Sequence, residues 1–342
     1  MRQMIETVRA LLAYPKGLLA MDESNATCDK RFAAAGIPQT VEARRAYREL
    51  IITTPGLSEC VSGMILYDET IRQSRADGTP FVKLIQRAGI VPGIKVDTGA
   101  KELAGRPEEK VTEGLDGLRE RLREYYEMGA RFAKWRAVLA IGERRPSRGC
   151  IDANAHALAR YAALCQEAGL VPVVEPETIM DGGHSQAACA QTTETVLRAL
   201  FAALCEQGVA LEALILKPNM ILPGAASPER PAAAEVAEAT LGVLRRVVPA
   251  EVPGVAFLSG GQSGERASAR LNAMNATPSP VASAPWTLTF SYARAIQQPA
   301  LETWAGRDAN VAGAQAALLH RARCNRAARQ GRYSAATEAS AA

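Results

Sequence analysis

The chain has 342 residues, 48% of them hydrophobic and 5% aromatic, and carries a formal charge of +4 at pH 7. That much apolar material suits one large core or two small ones, and barrels of alternating strands and helices reach this size as one unit. The mild positive balance, with no Lys/Arg block or finger motif, gives no reason to expect a nucleic-acid partner, and no run of 18 apolar residues is present to cross a membrane.

In chain order, MRQMIETVRALLAYPKG places Ile5, Val8, Leu11 and Leu12 on one helical face. Arg2, Glu6 and Arg9 interrupt it, so it reads as an amphipathic helix rather than a secretory leader. Eight apolar runs follow, each a strand candidate: Gly17–Asp22, Ser62–Tyr67, Gly93–Asp97, Phe132–Arg136, Val171–Glu177, Ala213–Pro218, Gly254–Ser259 and Leu288–Tyr292. Between them, segments such as Glu109–Met128, Asn154–Ala168, Ala187–Glu206 and Pro231–Val247 repeat apolar residues three and four apart, as helices do. Alternation through the whole chain predicts an α/β fold with a parallel sheet, and eight units predict a single (β/α)8 TIM barrel over residues 1–330. Ala225–Pro231 reads as a loop, and residues 331–342, GRYSAATEASAA, as a polar, disordered tail.

Seven scattered cysteines, odd in number and without a C-x-x-C pair, indicate free thiols in a reducing compartment such as the cytoplasm. The three histidines, His156, His184 and His320, show no H-x-x-x-H spacing, so no catalytic metal is expected.

Charge placement is the informative feature. Strand after strand ends in an ionisable residue: LLAMDES in Asp22, GIKVD in Lys95, FAKWR in Lys134 and Arg136, VVEPE in Glu175 and Glu177, LILKPN in Lys217. In a parallel barrel those ends converge on one mouth, where catalytic groups sit. A single such ending is more often a surface charge; several together must compensate one another or meet a charged ligand. A lysine amine attacks carbonyls only when unprotonated, and its ordinary pKa of ~10.4 calls for cationic neighbours and a dry setting. Lys95, Lys134 and Arg136 around Lys217 are expected to supply the first, and Leu214–Leu216 the second, with Asp22, Glu175 and Glu177 moving protons. A network of rim salt bridges without chemistry is the bland alternative. Loops after strands seven and eight commonly hold phosphate in barrels. Here they are Ser259-Gly260-Gly261 and Ser291-Tyr292-Ala293-Arg294. Ser24, Thr27 and Lys95 offer a second anion grip, so the two together predict a bisphosphate.

The stretches LLAMDES, GIKVDTG, KWR, VEPE, LKPNM, FLSGGQS and FSYARA occur in the order found in class I fructose-bisphosphate aldolases, and the chain resembles that family over about residues 5–335. The plant and bacterial type is the nearest, through KVTEGLDGLRERL and SRGCIDANAHALARYAALCQEAGLVP. The resemblance implies a metal- and cofactor-independent lyase of sugar-phosphate metabolism (glycolysis, gluconeogenesis or the Calvin type), cytoplasmic and commonly a homotetramer. It implies Lys217 as the Schiff-base lysine and Asp22, Lys134, Glu175 and Glu177 as proton-transfer and carbinolamine residues. Ser259, Gly260 and Arg294 would grip the phosphate nearest the keto group; Ser24, Thr27 and Lys95 lie near the other, with Arg136, Gly261, Ser291 and Ala293 also facing substrate. Three departures stand out. Ala213 and Ala293 replace usual glycines, and Ala293 would be strained if its position needs φ > 0. Thr277–Ser283 would enlarge a surface loop, and the terminal tyrosine of animal relatives is missing, which implies slower proton exchange at the enamine. A lysine aldolase for seven-carbon bisphosphates, a transaldolase-like enzyme, a metal-dependent aldolase and a non-catalytic scaffold are the rival readings.

Overall fold

Each of the eight expected segments overlaps one strand of a closed parallel barrel in the computed structural model, which describes residues 1–276 and 284–339. The strands are β1 (Gly17–Ala20), β2 (Val61–Leu66), β3 (Val91–Lys95), β4 (Phe132–Leu139), β5 (Val171–Thr178), β6 (Ile215–Leu216), β7 (Gly254–Phe257) and β8 (Thr287–Tyr292). They pair in sequence order, and β1 closes on β8 with Leu18 opposite Ser291 and Leu19 opposite Tyr292. Every residue of β1, β2, β5, β6 and β7 is buried, as expected of strands covered on both faces. Helices return the chain outside the sheet, among them Arg148–Glu167, Gln186–Glu206, Ala233–Val247, Gly264–Ala276, Arg294–Trp304 and Val311–Arg329.

One helical expectation fails in part. Of Glu109–Met128, only Leu118–Met128 is helical; Lys110–Glu113 pairs antiparallel with Gly99–Glu102 in a hairpin outside the barrel. Gly114 at φ 129° and Gly117 at φ 64° stop the helix from extending backwards. The buried Glu109 instead accepts from the backbone and hydroxyl of Ser147, ahead of the helix that follows β4.

The barrel interior is filled rather than hollow. Leu18, Ile65, Phe132, Val171, Val173 and Ile215 form its apolar cluster. Helix Arg2–Leu11 lays Met4, Val8 and Leu11 into the same cluster, under the N-terminal ends of the strands. The Phe132 ring fits only because Gly93 has no side chain: a Cβ there would lie 2.3 Å from ring Cζ. Gly93→Ala should therefore cost about 1–3 kcal/mol by overpacking. A lowered urea midpoint, partly restored by Phe132→Leu in the same chain, is the expected result; an unchanged midpoint would show that the ring can step aside.

Among the residues read as a disordered tail, Ala335–Ala339 form a short helix. Tyr333 Oη donates to Glu338 Oε2 at 2.5 Å, and the Arg321 guanidinium donates to Glu338 Oε1. The enlarged loop expected at Thr277–Ser283 lies outside the described residues.

Candidate active site

Residues two apart on a strand share a face, so the interior series Phe132, Lys134, Arg136 and Val171, Val173, Glu175, Glu177 climb from apolar core to charged mouth. There Lys134 Nζ lies 2.7 Å from Asp22 Oδ2 and 3.2 Å from Glu175 Oε2, while Lys217 Nζ lies 3.0 Å from Glu175 Oε1. All four residues are 8% exposed or less. The four residues that sequence reasoning weighted most are one contiguous cluster.

Burial opposes the charge of each acid, but Lys134 and then Lys217 outweigh it, holding Asp22 at about 2 and Glu175 below the usual carboxylate range. Burial likewise opposes the charge on Lys134, and Asp22, Glu175 and Asp97 hold its pKa well above an ordinary lysine. A carboxylate whose folded pKa is depressed adds stability that is complete above the ordinary value near 3.8 and is lost as pH falls through about 2. For Asp22 that amounts to about 2 kcal/mol. Asp22→Asn should flatten the stability profile over that window, read as urea midpoints from pH 5 to pH 2; a profile parallel to the wild type would disprove the assignment.

Of the three cations expected around Lys217, Lys134 stands beside it on the shared Glu175 carboxylate, whereas Arg136 and Lys95 are paired with other acids. Arg136 Nε donates to Glu177 Oε2 at 2.5 Å, and Lys95 Nζ lies 2.6 Å from Asp97 Oδ1. Each cation has found a carboxylate on the adjoining strand or just past the end of its own, because opposite charges at these strand ends stand within reach. The group in direct contact with Lys217 is an acid, Glu175, which provides a receiver for the proton an attacking amine must lose. Glu177 is held by Arg136, one step removed from the lysine.

Several supports escaped the sequence reading. Asp97 Oδ2 accepts from the Arg136 backbone N–H at 3.2 Å, tying the segment after β3 to β4 at the mouth. Tyr161 Oη donates to the Ala133 carbonyl (2.7 Å) and accepts from the Val173 N–H (3.1 Å), fixing the strands that carry Lys134 and Glu175. Asn219 Oδ1 accepts from the Thr178 N–H at 3.0 Å while its amide donates to Thr193 Oγ1 at 3.2 Å, binding the end of β5 to the segment after Lys217. Glu23, beside Asp22, accepts from Arg48 at 3.0 Å and also pairs with Arg31. Only Asp97 had a signal, as the acid two residues beyond Lys95 in GIKVD.

The rim residues fall into two groups. After β7 and β8, Gly260 and Gly261 adopt φ 53° and 80°, and Arg294 Nη2 comes within 3.6 Å of where a Gly261 Cβ would stand. The glycine loop and the guanidinium are thus side by side. Ser259 is buried next to them, and the Ser291 hydroxyl is buried without a hydrogen-bond partner among the described residues. Ala293 has φ −105°, so the feared left-handed strain at that position does not arise. Ala213 is a buried residue in the turn before β6. After β1, Ser24 caps helix Asn25–Ala34, and its hydroxyl lies 3.0 Å from that of Thr27. Among the described residues, one group of mixed His, Cys and acid donors converges, His320, Cys324 and Glu338; it shares no residue with the mouth.

A family described as fructose-bisphosphate aldolase class-I matches residues 3–342. A probable fructose-bisphosphate aldolase class 1 of Xanthomonas campestris pv. campestris is 55% identical over 332 residues, covering 97% of this chain and 98% of that protein. The cytosolic fructose-bisphosphate aldolase 5 of Arabidopsis thaliana is 51% identical over 331 residues, covering 97% and 91%. Among solved structures, a fructose-bisphosphate aldolase from Plasmodium falciparum, in a ternary complex with TRAP and a small molecule inhibitor, superposes with a TM-score of 0.94 at 46% identity, covering 97% of this chain and 95% of that one.

Proposed function

Because the chain belongs to the class I fructose-bisphosphate aldolase family, we propose that its reversible cleavage of fructose 1,6-bisphosphate runs through a Schiff base on Lys217. The enzyme is a carbon–carbon lyase of glycolytic sugar-phosphate metabolism. The observation that carries the residue assignment is the 3.0 Å contact between the buried Lys217 amine and Glu175, itself shared with Lys134 and Asp22.

The steps follow from those contacts. Glu175 accepts the ammonium proton of Lys217, and the freed amine adds to the keto carbon. The same proton, returned to the carbinolamine hydroxyl, lets it leave as water and produces the iminium. Asp22, or Glu175 acting through the network, takes the proton from the hydroxyl on the fourth carbon. Electrons from the bond between the third and fourth carbons then flow into the iminium. Glyceraldehyde 3-phosphate departs, and the enamine takes up a proton at the third carbon. Water hydrolyses the resulting iminium, releasing dihydroxyacetone phosphate and the free lysine. Lys134 stays cationic throughout and steadies whichever carboxylate is momentarily charged. Glu177, fixed by Arg136, flanks the carbinolamine.

The phosphate next to the keto group sits against Ser259, Gly260, Gly261, Ser291, Arg294 and the Ala293 N–H; the unpartnered Ser291 hydroxyl supports this placement. Ser24, Thr27, Lys95 and the half-exposed Arg136 meet the far phosphate. A cytosolic setting fits the Arabidopsis relatives named as cytosolic, and the family resemblance favours a homotetramer. The deciding experiment is borohydride reduction in the presence of dihydroxyacetone phosphate, followed by peptide mapping. The adduct is expected on Lys217; an adduct on Lys134, or none, would refute the assignment.

A further inference from the structure

Helix Val311–Arg329 places His320 and Cys324 four residues apart, on one face, and the docked C-terminal turn brings Glu338 to them. His320 Nε2 lies 3.5 Å from Cys324 Sγ and 3.7 Å from Glu338 Oε1, and the three donor atoms fall within 4.8 Å of one another. A tetrahedral zinc ion, bonded at about 2.3 Å to thiolate and about 2.0 Å to imidazole and carboxylate, spaces its donors about 3.3–3.6 Å apart. The two pairs that include His320 are thus nearly at coordination spacing before any ion is considered, and the pair of Cys324 and Glu338 lies within 4.8 Å. The carboxylate is also held from outside the set: Tyr333 Oη donates to Oε2 at 2.5 Å and Arg321 to Oε1. Outer partners of this kind orient a ligand and are typical of metal centres. Arg321 is in turn buried and donates to Ser268 Oγ at 2.9 Å, which ties the cluster to helix Gly264–Ala276.

We propose that His320, Cys324 and Glu338 bind a Zn²⁺ ion, with water as the fourth ligand, and that the ion staples the C-terminal segment to helix Val311–Arg329. Binding releases the Cys324 thiol proton to solvent. Thiolate and carboxylate then balance the dication, leaving the single positive charge of Arg321, with His320 neutral. Neither a C-x-x-C nor an H-x-x-x-H spacing marks this set, because the helix offers one donor of each type and the third comes from the tail. The simpler account is an Arg321–Glu338 ion pair with His320 and Cys324 as bystanders, and it predicts no zinc uptake.

The test uses the full chain, stripped with chelator and titrated with ZnCl₂ alone by calorimetry, with bound zinc counted after desalting. One zinc per chain and a higher Tm with zinc than without are expected. Cys324→Ser and Glu338→Gln should each lose at least about 100-fold in affinity. Glu338→Gln retains an amide that can still bond Tyr333, so it serves if Cys324→Ser folds poorly. Co²⁺ in place of zinc should give a thiolate-to-cobalt charge-transfer band in the wild type and none in Cys324→Ser. No uptake by the wild type would overturn the proposal. So would undiminished uptake by both variants, which would place the ion elsewhere, such as at the exposed Cys205.

Discussion

Lys217→Met should lower kcat for fructose 1,6-bisphosphate cleavage by at least about 10⁴-fold while leaving the fold intact. Removing the nucleophile removes the covalent route altogether, so no other lysine of the cluster can compensate; Lys134 is already committed to Asp22 and Glu175. Stability should change little, because Glu175 keeps Lys134 at 3.2 Å when Lys217 is gone. Steady-state rates and circular dichroism of the purified variant check both halves, and borohydride should no longer attach dihydroxyacetone phosphate. Cleavage near the wild-type rate would end the Schiff-base assignment.

Lys134→Met should damage stability and catalysis together. The substitution leaves Asp22 without its 2.7 Å partner, and Glu175 with Lys217 alone, in a site almost closed to water. Breaking a buried ion pair from one side costs about 3–5 kcal/mol, since the stranded charge has nowhere to be solvated. The loss should shrink as pH falls and the stranded acid takes a proton, and Lys134→Met with Asp22→Asn should be more stable than Lys134→Met alone. Urea midpoints at pH 5 and pH 8 separate these outcomes. Catalysis should fall about 10³-fold, because the shared cation aligns both acids. A variant as stable as the wild type at neutral pH would mean that water reaches the cluster and that the network is not electrostatically tight.

Much of this site was legible in the sequence because parallel barrels expose their chemistry at strand ends. The positions of Asp22, Lys134, Glu175 and Lys217 could be read from where apolar runs stop. Partner choice was harder to read. Whether Arg136 repels Lys217 or binds Glu177 depends on side-chain reach across two strands, and a linear pattern of charges does not encode it. The same limit hid Tyr161 and Asn219, which act from a helix and a loop end upon neighbouring strands. The helix-like periodicity of Glu109–Met128 misled for a local reason: two glycines at positive φ redirect the chain, and the spacing of apolar residues carries no information about φ. Ala293 shows the converse, a substitution that looked costly by analogy but rests at a negative φ.

Helix Arg2–Leu11, with its apolar face pressed under the strands, gives the barrel a floor. The interior above it is packed with side chains up to the charged cluster, which leaves the mouth as the way to Lys217. Ketose, water and both triose phosphates must all pass the same rim, and whichever fragment sits nearer the opening has to go first. With the keto-end fragment tethered through Lys217, as proposed above, the untethered aldehyde is the one free to leave, so a barrel packed solid beneath its charged cluster builds in the order of departure.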